Sequence, residues 1–182
     1  LAPVSLAQIL IDLIVKGGKR IEKRKYPQFD LFNELSIFFI DSHSGSLHNI
    51  KSAEIINVGL DIANIPNNLK IAFKNAKFII ANTRFNIHTK RLYNAVKKMI
   101  RDLSENKSCE GWNVFIKLIY LDEQGFLPQS TQLYSAKFAK LLSDIFEYCE
   151  YDNVEKPKLS QNYIVKLNDW TNKICEAHDL QY

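Results

Sequence analysis

Apolar residues recur at spacings of three and four in window after window of this chain, and that helical rhythm is its dominant pattern. It is strongest from His88 to Leu103, where Leu92, Ala95, Val96, Met99, Ile100 and Leu103 share one face. Lys90, Arg91, Lys97, Lys98 and Arg101 fall largely on the opposite face. The stretch predicts an amphipathic helix with a core stripe and a cationic back. Thr89 is placed to cap its first turn.

The same rhythm predicts helices elsewhere. Pro3 and Ser5 open a first, with Leu6, Ile9, Leu10, Leu13 and Ile14 on one face until Gly17-Gly18 ends it. A second spans Phe29 to Asp41, and the loop Ser42–Ser46 follows. A third runs from Ser52 to about Asn64, closed by Pro66. In a fourth, Leu69, Ala72, Phe73, Ala76, Ile79 and Ile80 form the core face, with Lys70, Lys74 and Lys77 outside. After the anchor helix come one from Trp112 to the Gly125–Pro128 break, one opening at Ser130 or Thr131, and a last from Leu159 or Ser160. Residues 152–158, with Glu155-Lys-Pro-Lys, read as a hinge.

The expected architecture is therefore all-α: seven to eight amphipathic helices in one bundle-like or short solenoid domain covering residues 1–182. The alternative is α/β with a small parallel sheet. SIFFID, KFIIANTR and VFIKLIYLD are apolar runs separated by helical patterns, as in βαβ units, and a short buried strand has no periodicity to tell it from a buried helix.

Composition narrows the class without changing it. With 46% hydrophobic and 24% charged residues the chain is of ordinary globular type, and six Gly and five Pro favour long elements over turns. It starts Leu-Ala-Pro without Met, which suggests a module cut from a longer protein. Cys109, Cys149 and Cys175 make an odd, widely spaced set with no zinc spacing. Free thiols fit a reducing compartment, so an intracellular, cytoplasmic location is expected, with a nuclear one as the lesser alternative. No apolar run approaches the ~18 residues of a membrane span.

Charge is more telling. Residues 62–101 carry nine basic groups and no acid, whereas residues 102–182 carry eight basic and thirteen acidic. Ordinary surfaces mix the two signs to limit self-repulsion. The candidate binding residues are accordingly Lys70, Lys74, Lys77, Arg84, Lys90, Arg91, Lys97, Lys98 and Arg101. The function expected is a non-catalytic helical module docking an acidic protein surface on this basic face. The alternative is RNA or other nucleic-acid binding, with Phe78, Phe85 or Tyr93 to stack on bases. The acidic C-terminal third neutralising the face internally is the plainer competing explanation. Oligomeric state has no signature in the sequence.

Catalytic signals are sparse. No Walker A, GxGxxG, GxSxG or HExxH occurs, and no cofactor or metal is implied. Asp41, His43 and His48 sit close in sequence, but their spacing matches no metal motif, and a polar turn accounts for them. Arg84-Phe-Asn-Ile-His88 resembles the Arg–spacer–His motif of HEPN ribonucleases, with three intervening residues where that family usually has four to six. That resemblance implies Arg84 on a phosphate and His88 moving a proton; an exposed Arg beside a helix-start His explains the same residues. Trp112-Asn-Val-Phe-Ile-Lys117 resembles a stretch of ENTH- and ANTH-type helical adaptor domains, over about eight residues, and Gly125 comes too early for their pattern. Neither likeness carries a site. A helical ribonuclease or phosphate-directed hydrolase using His43, His48 or His88 is the reserve enzyme reading, behind a chain that is not an enzyme.

Overall fold

The structure, a computed structural model, describes residues 12–14, 32–40, 47–57, 60–83, 89–107, 109–128 and 135–182. The described chain is mostly helical, with five α-helices and a small sheet. The strands are β1 (Asp12–Ile14), β2 (Glu34–Ile40) and β3 (Leu47–Asn57). A short 3-10 segment, Leu60–Asn64, leads into α1 (Pro66–Asn82), α2 (Lys90–Ser104), α3 (Trp112–Glu123), α4 (Ala136–Glu150) and α5 (Gln161–Ala177).

The expectation of seven to eight helices fails in the N-terminal third. Asp12–Ile14, expected to end a first helix, pairs parallel to β3; the rest of that segment lies outside the described residues. Most of the expected second helix is β2, and the first part of the third, Ser52–Asn57, is β3, its last part being the 3-10 segment Leu60–Asn64; β2 and β3 pair antiparallel in the order β1-β3-β2. The reason is local. Ser36-Ile-Phe-Phe-Ile and Ile55-Ile56 are runs of β-branched and aromatic residues that fit a pleated strand. Each run is also too short for a 3.6-residue period to be told from chance. The α/β alternative foresaw one of its three strands, SIFFI. Its other two, KFII and VFIKLIYLD, lie in α1 and α3, and the sheet is mixed rather than parallel.

From residue 89 onward the helical expectations hold more closely. Helix α3 is the hub, packing against α1, α2, α4 and α5. Trp112 and every residue from Val114 to Leu121 are buried, as a helix apolar on all sides must be. It opens at Gly111, whose φ of 85° is left-handed and where a Cβ would lie 2.9 Å from the Phe115 ring. A side chain is excluded there on both counts. Around α3, Leu92, Ala95, Met99 and Leu103 of α2, Leu142 and Ile145 of α4, and Leu167 and Cys175 of α5 complete the core. Cys149 is buried too, as expected of a small apolar residue, while Cys109 is half-buried with its thiol on Asn68 Oδ1.

Two end-of-helix contacts set how these helices meet. Thr89 makes no side-chain cap to α2. Both oxygens of Glu123, at the far end of α3, accept the Arg91 and Leu92 backbone N–H groups instead, each at 3.0 Å. An anion thus sits where the first-turn donors and the helix dipole favour one. Helix α1 enters through Pro66, whose missing N–H is harmless in a first turn.

Helix α1 also carries three asparagines seven residues apart, and each ties it to a different part of the molecule. Asn68 Nδ2 donates to Leu103 O at the end of α2 (2.8 Å), and Asn75 Nδ2 to Asn113 Oδ1 on α3 (3.0 Å). Asn82 Nδ2 donates to Gln181 O (2.6 Å), and Gln181 N returns a bond to Asn82 Oδ1 (2.9 Å). Asn75 and Asn82 also donate to the Ile71 and Phe78 carbonyls within α1, but the bonds to other elements form in only one placement of the helix, and the buried Asn68 amide depends on its bond to Leu103.

Candidate docking face

The eight of the nine basic residues that the structure describes fall into two groups once helix faces and neighbours are known. On α2 the cations after Lys90 are engaged. Arg91 pairs with Asp122 of α3 and Glu150 of α4. Burial works against its charge, but the two carboxylates outweigh it and hold the guanidinium above its ordinary pKa. Lys97 bonds Glu34 of β2 at 2.9 Å, and Arg101 pairs with Asp152 at 2.8 Å.

Lys98, read as outward-facing from the sequence, is only 5% exposed. Its ammonium donates to the Tyr148 and Tyr151 carbonyls at the end of α4 and lies 4.0 Å from the Tyr148 ring centre. Burial, then the nearby Arg101, pull its pKa down. Tyr148 Oη in turn donates to the buried Asp102. This group anchors α2 to the last turn of α4, where free helix carbonyls attract a cation.

On α1 the cations are not engaged. Lys70, Lys74 and Lys77 are exposed and have no ion-pair or hydrogen-bond partner among the described residues. Their spacings of four and three put them on one line of the helix surface. Phe73 (45% exposed) and Ile80 (69%) flank that line. Both were assigned to the core from their spacing. The buried face is instead the one carrying Asn68, Ala72, Asn75 and Phe78, because the asparagines bind neighbouring elements. Lys90, exposed at the start of α2, is likewise unpaired among the described residues.

Arg84 and His88 lie outside the described residues, as do Asp41 and His43. His48 lies in β3, its Cα in register with that of Leu13. Among the described residues no group of three or more His, Cys, Asp or Glu is placed to hold a metal ion, and no helix is long and apolar enough to cross a membrane.

No family model matches the chain, and no curated protein or solved structure matches it either.

Sequence reading missed the exposure of Phe73 and Ile80, the burial of Lys98, and the roles of Glu123 and Lys117. The one signal available for α1 was the seven-residue recurrence of asparagine, which marks the inward face as clearly as an apolar stripe does.

Proposed function

We propose that the chain is a non-catalytic interaction module that docks an acidic protein surface on the outer face of α1. The observation carrying this reading is the line Lys70, Lys74 and Lys77, unpaired among the described residues and bordered by the exposed Phe73 and Ile80. Unpaired ammoniums steer an acidic partner towards the face. The two large apolar side chains supply the desolvated centre that a protein interface needs. Isoleucine offers nothing for a base to stack on, which favours protein over nucleic acid.

The deciding experiment is capture from nuclease-treated extract, comparing wild type with Lys70→Glu/Lys74→Glu/Lys77→Glu and with Phe73→Ser/Ile80→Ser. The same protein lost by both variants is the expected result. Material that nuclease removes, with a log–log salt slope of about −0.7 to −0.9 per phosphate contacted, would hand the face to nucleic acid. Unaltered capture by both variants would leave it a solvated surface.

A further inference from the structure

Beside the docking line, α1, α3 and residues 180–182 enclose a pocket of about 380 Å³, within the size range of small-ligand sites. Three lysines line it, Lys74 and Lys77 at the surface and Lys117 inside, and no Asp or Glu side chain does. Lys117, only 3% exposed, has no carboxylate partner among the described residues. Its ammonium donates to two neutral amide oxygens of α5, Asn172 Oδ1 at 2.6 Å and Asn168 Oδ1 at 3.4 Å. An ammonium has three protons, so one is left for the pocket.

A second donor is fixed beside it. Asn113 Oδ1 accepts from Asn75, which orients the Asn113 amide and leaves its NH₂ unpaired among the described residues. Phe78, Ala81, Leu180 and the Tyr182 ring supply apolar wall, the last 5.3 Å from the Lys117 Nζ. The paired bonds between Asn82 and Gln181 hold residues 180–182 across the opening, so the wall is formed in advance.

We infer that this pocket binds a small phosphate monoester whose phosphate meets Lys117, Asn113, Lys74 and Lys77 and whose body lies against Phe78, Leu180 and Tyr182. A buried ammonium satisfied only by neutral amides lacks a counter-charge, and a dianion supplies it. Three ammoniums and one amide NH₂ match the three terminal oxygens of a phosphate better than the two of a carboxylate. Burial lowers the Lys117 pKa, and the like charge of Lys74 adds to this against an opposing pull from Cys175. This site goes beyond the docking reading but shares Lys74 and Lys77 with it. Lys117 is not on the docking line and separates the two.

The test is calorimetric titration of the full chain with phenyl phosphate, inorganic phosphate and benzyl alcohol. Phenyl phosphate is expected to saturate one site. Inorganic phosphate should bind roughly tenfold more weakly for want of a buried ring, and benzyl alcohol should give no saturable heat. Lys117→Met, which keeps the aliphatic stem, should weaken phenyl phosphate by roughly tenfold to a hundredfold, the range for a lost charged hydrogen bond. It should leave partner capture intact. Lys74→Ala/Lys77→Ala alters only exposed side chains and should weaken phenyl phosphate too, so this variant decides if Lys117→Met fails to fold. The inference falls if phenyl phosphate gives no saturable heat, if a folded Lys117→Met or the double variant binds it as wild type does, or if inorganic phosphate binds equally well.

Discussion

Helices α1 and α2 draw their cations from the same acid-free stretch, residues 62–101, and use them in opposite ways. Arg91, Lys97, Lys98 and Arg101 of α2 meet carboxylates or carbonyls supplied by β2, α3, α4 and the segment after α4. The three lysines of α1 have no such neighbour among the described residues. A local excess of positive charge therefore does not mark an interface by itself. What matters is which elements the fold brings opposite each cation, and here most of the acidic ones come from the C-terminal half.

The sharpest way to break this contrast is to invert a charge inside α2. Lys98→Glu would set a carboxylate against two carbonyl oxygens and beside Asp102. It should destabilise the fold by about 3–5 kcal/mol, the range for a buried charge left unpaired, read from chemical denaturation. Unchanged melting would mean that Lys98 faces water and that α2 differs little from α1.

Arg91→Ala is the next test. It leaves Asp122 and Glu150 without their shared partner, but the guanidinium is a third exposed, so the expected loss is about 1–2 kcal/mol after allowing for solvent screening.

Lys97→Ala should cost less, about 0.2–1 kcal/mol, and its effect should depend on pH. Burial pushes the Glu34 carboxyl up, but the bonds from Lys97 and Tyr93 outweigh it and hold the pKa below its ordinary 4.5. A carboxylate with a depressed folded-state pKa contributes stability that is full above the unfolded value and is lost as pH falls through the folded value. The gap between wild type and Lys97→Ala should thus be constant near neutrality and close in acid below pH 4.5. A gap that persists at full size in acid would show that Lys97 acts through packing alone.

The smallest effect on stability belongs to Lys70→Glu/Lys74→Glu/Lys77→Glu, within about 0.5 kcal/mol of wild type as for other exposed sites. A large loss of stability would remove the distinction between the helices. The same reversal at Lys97, Lys98 and Arg101 is a poor probe of docking, since those cations hold the fold together.

Much of the helical part was legible because its signals reinforce one another over long windows. The α2 stripe, the Gly125 stop of α3 and the Ser160 start of α5 each combine a period with a stop or start residue. The strands were legible only as the SIFFI run of the α/β alternative, because Ile-Phe-Phe-Ile and Ile-Ile carry propensity without period, and the pairing of β2 with β3 decides the outcome. The candidate face was half legible. Charge drew attention to residues 70–101, but a lysine reads as solvent-facing wherever it falls, so Lys98 was misplaced. Phe73 and Ile80 were misplaced for the opposite reason, being apolar residues displaced from the core by asparagines.

That displacement follows from the ladder Asn68, Asn75 and Asn82. A helix held by apolar contacts alone can roll about its axis with little penalty, since greasy surfaces fit one another in several near-equivalent ways. Here a roll by one residue, about 100°, would break the three inter-element bonds together, in three separate surroundings, leaving Asn75 and Asn82 only the Ile71 and Phe78 carbonyls of α1 itself. The ladder acts as the wards of a key, admitting one rotational setting and rejecting its neighbours. Leucine at the same three positions would bind more tightly and specify less. The orientation of the lysine line is thus encoded on the inward side of α1, away from the line itself.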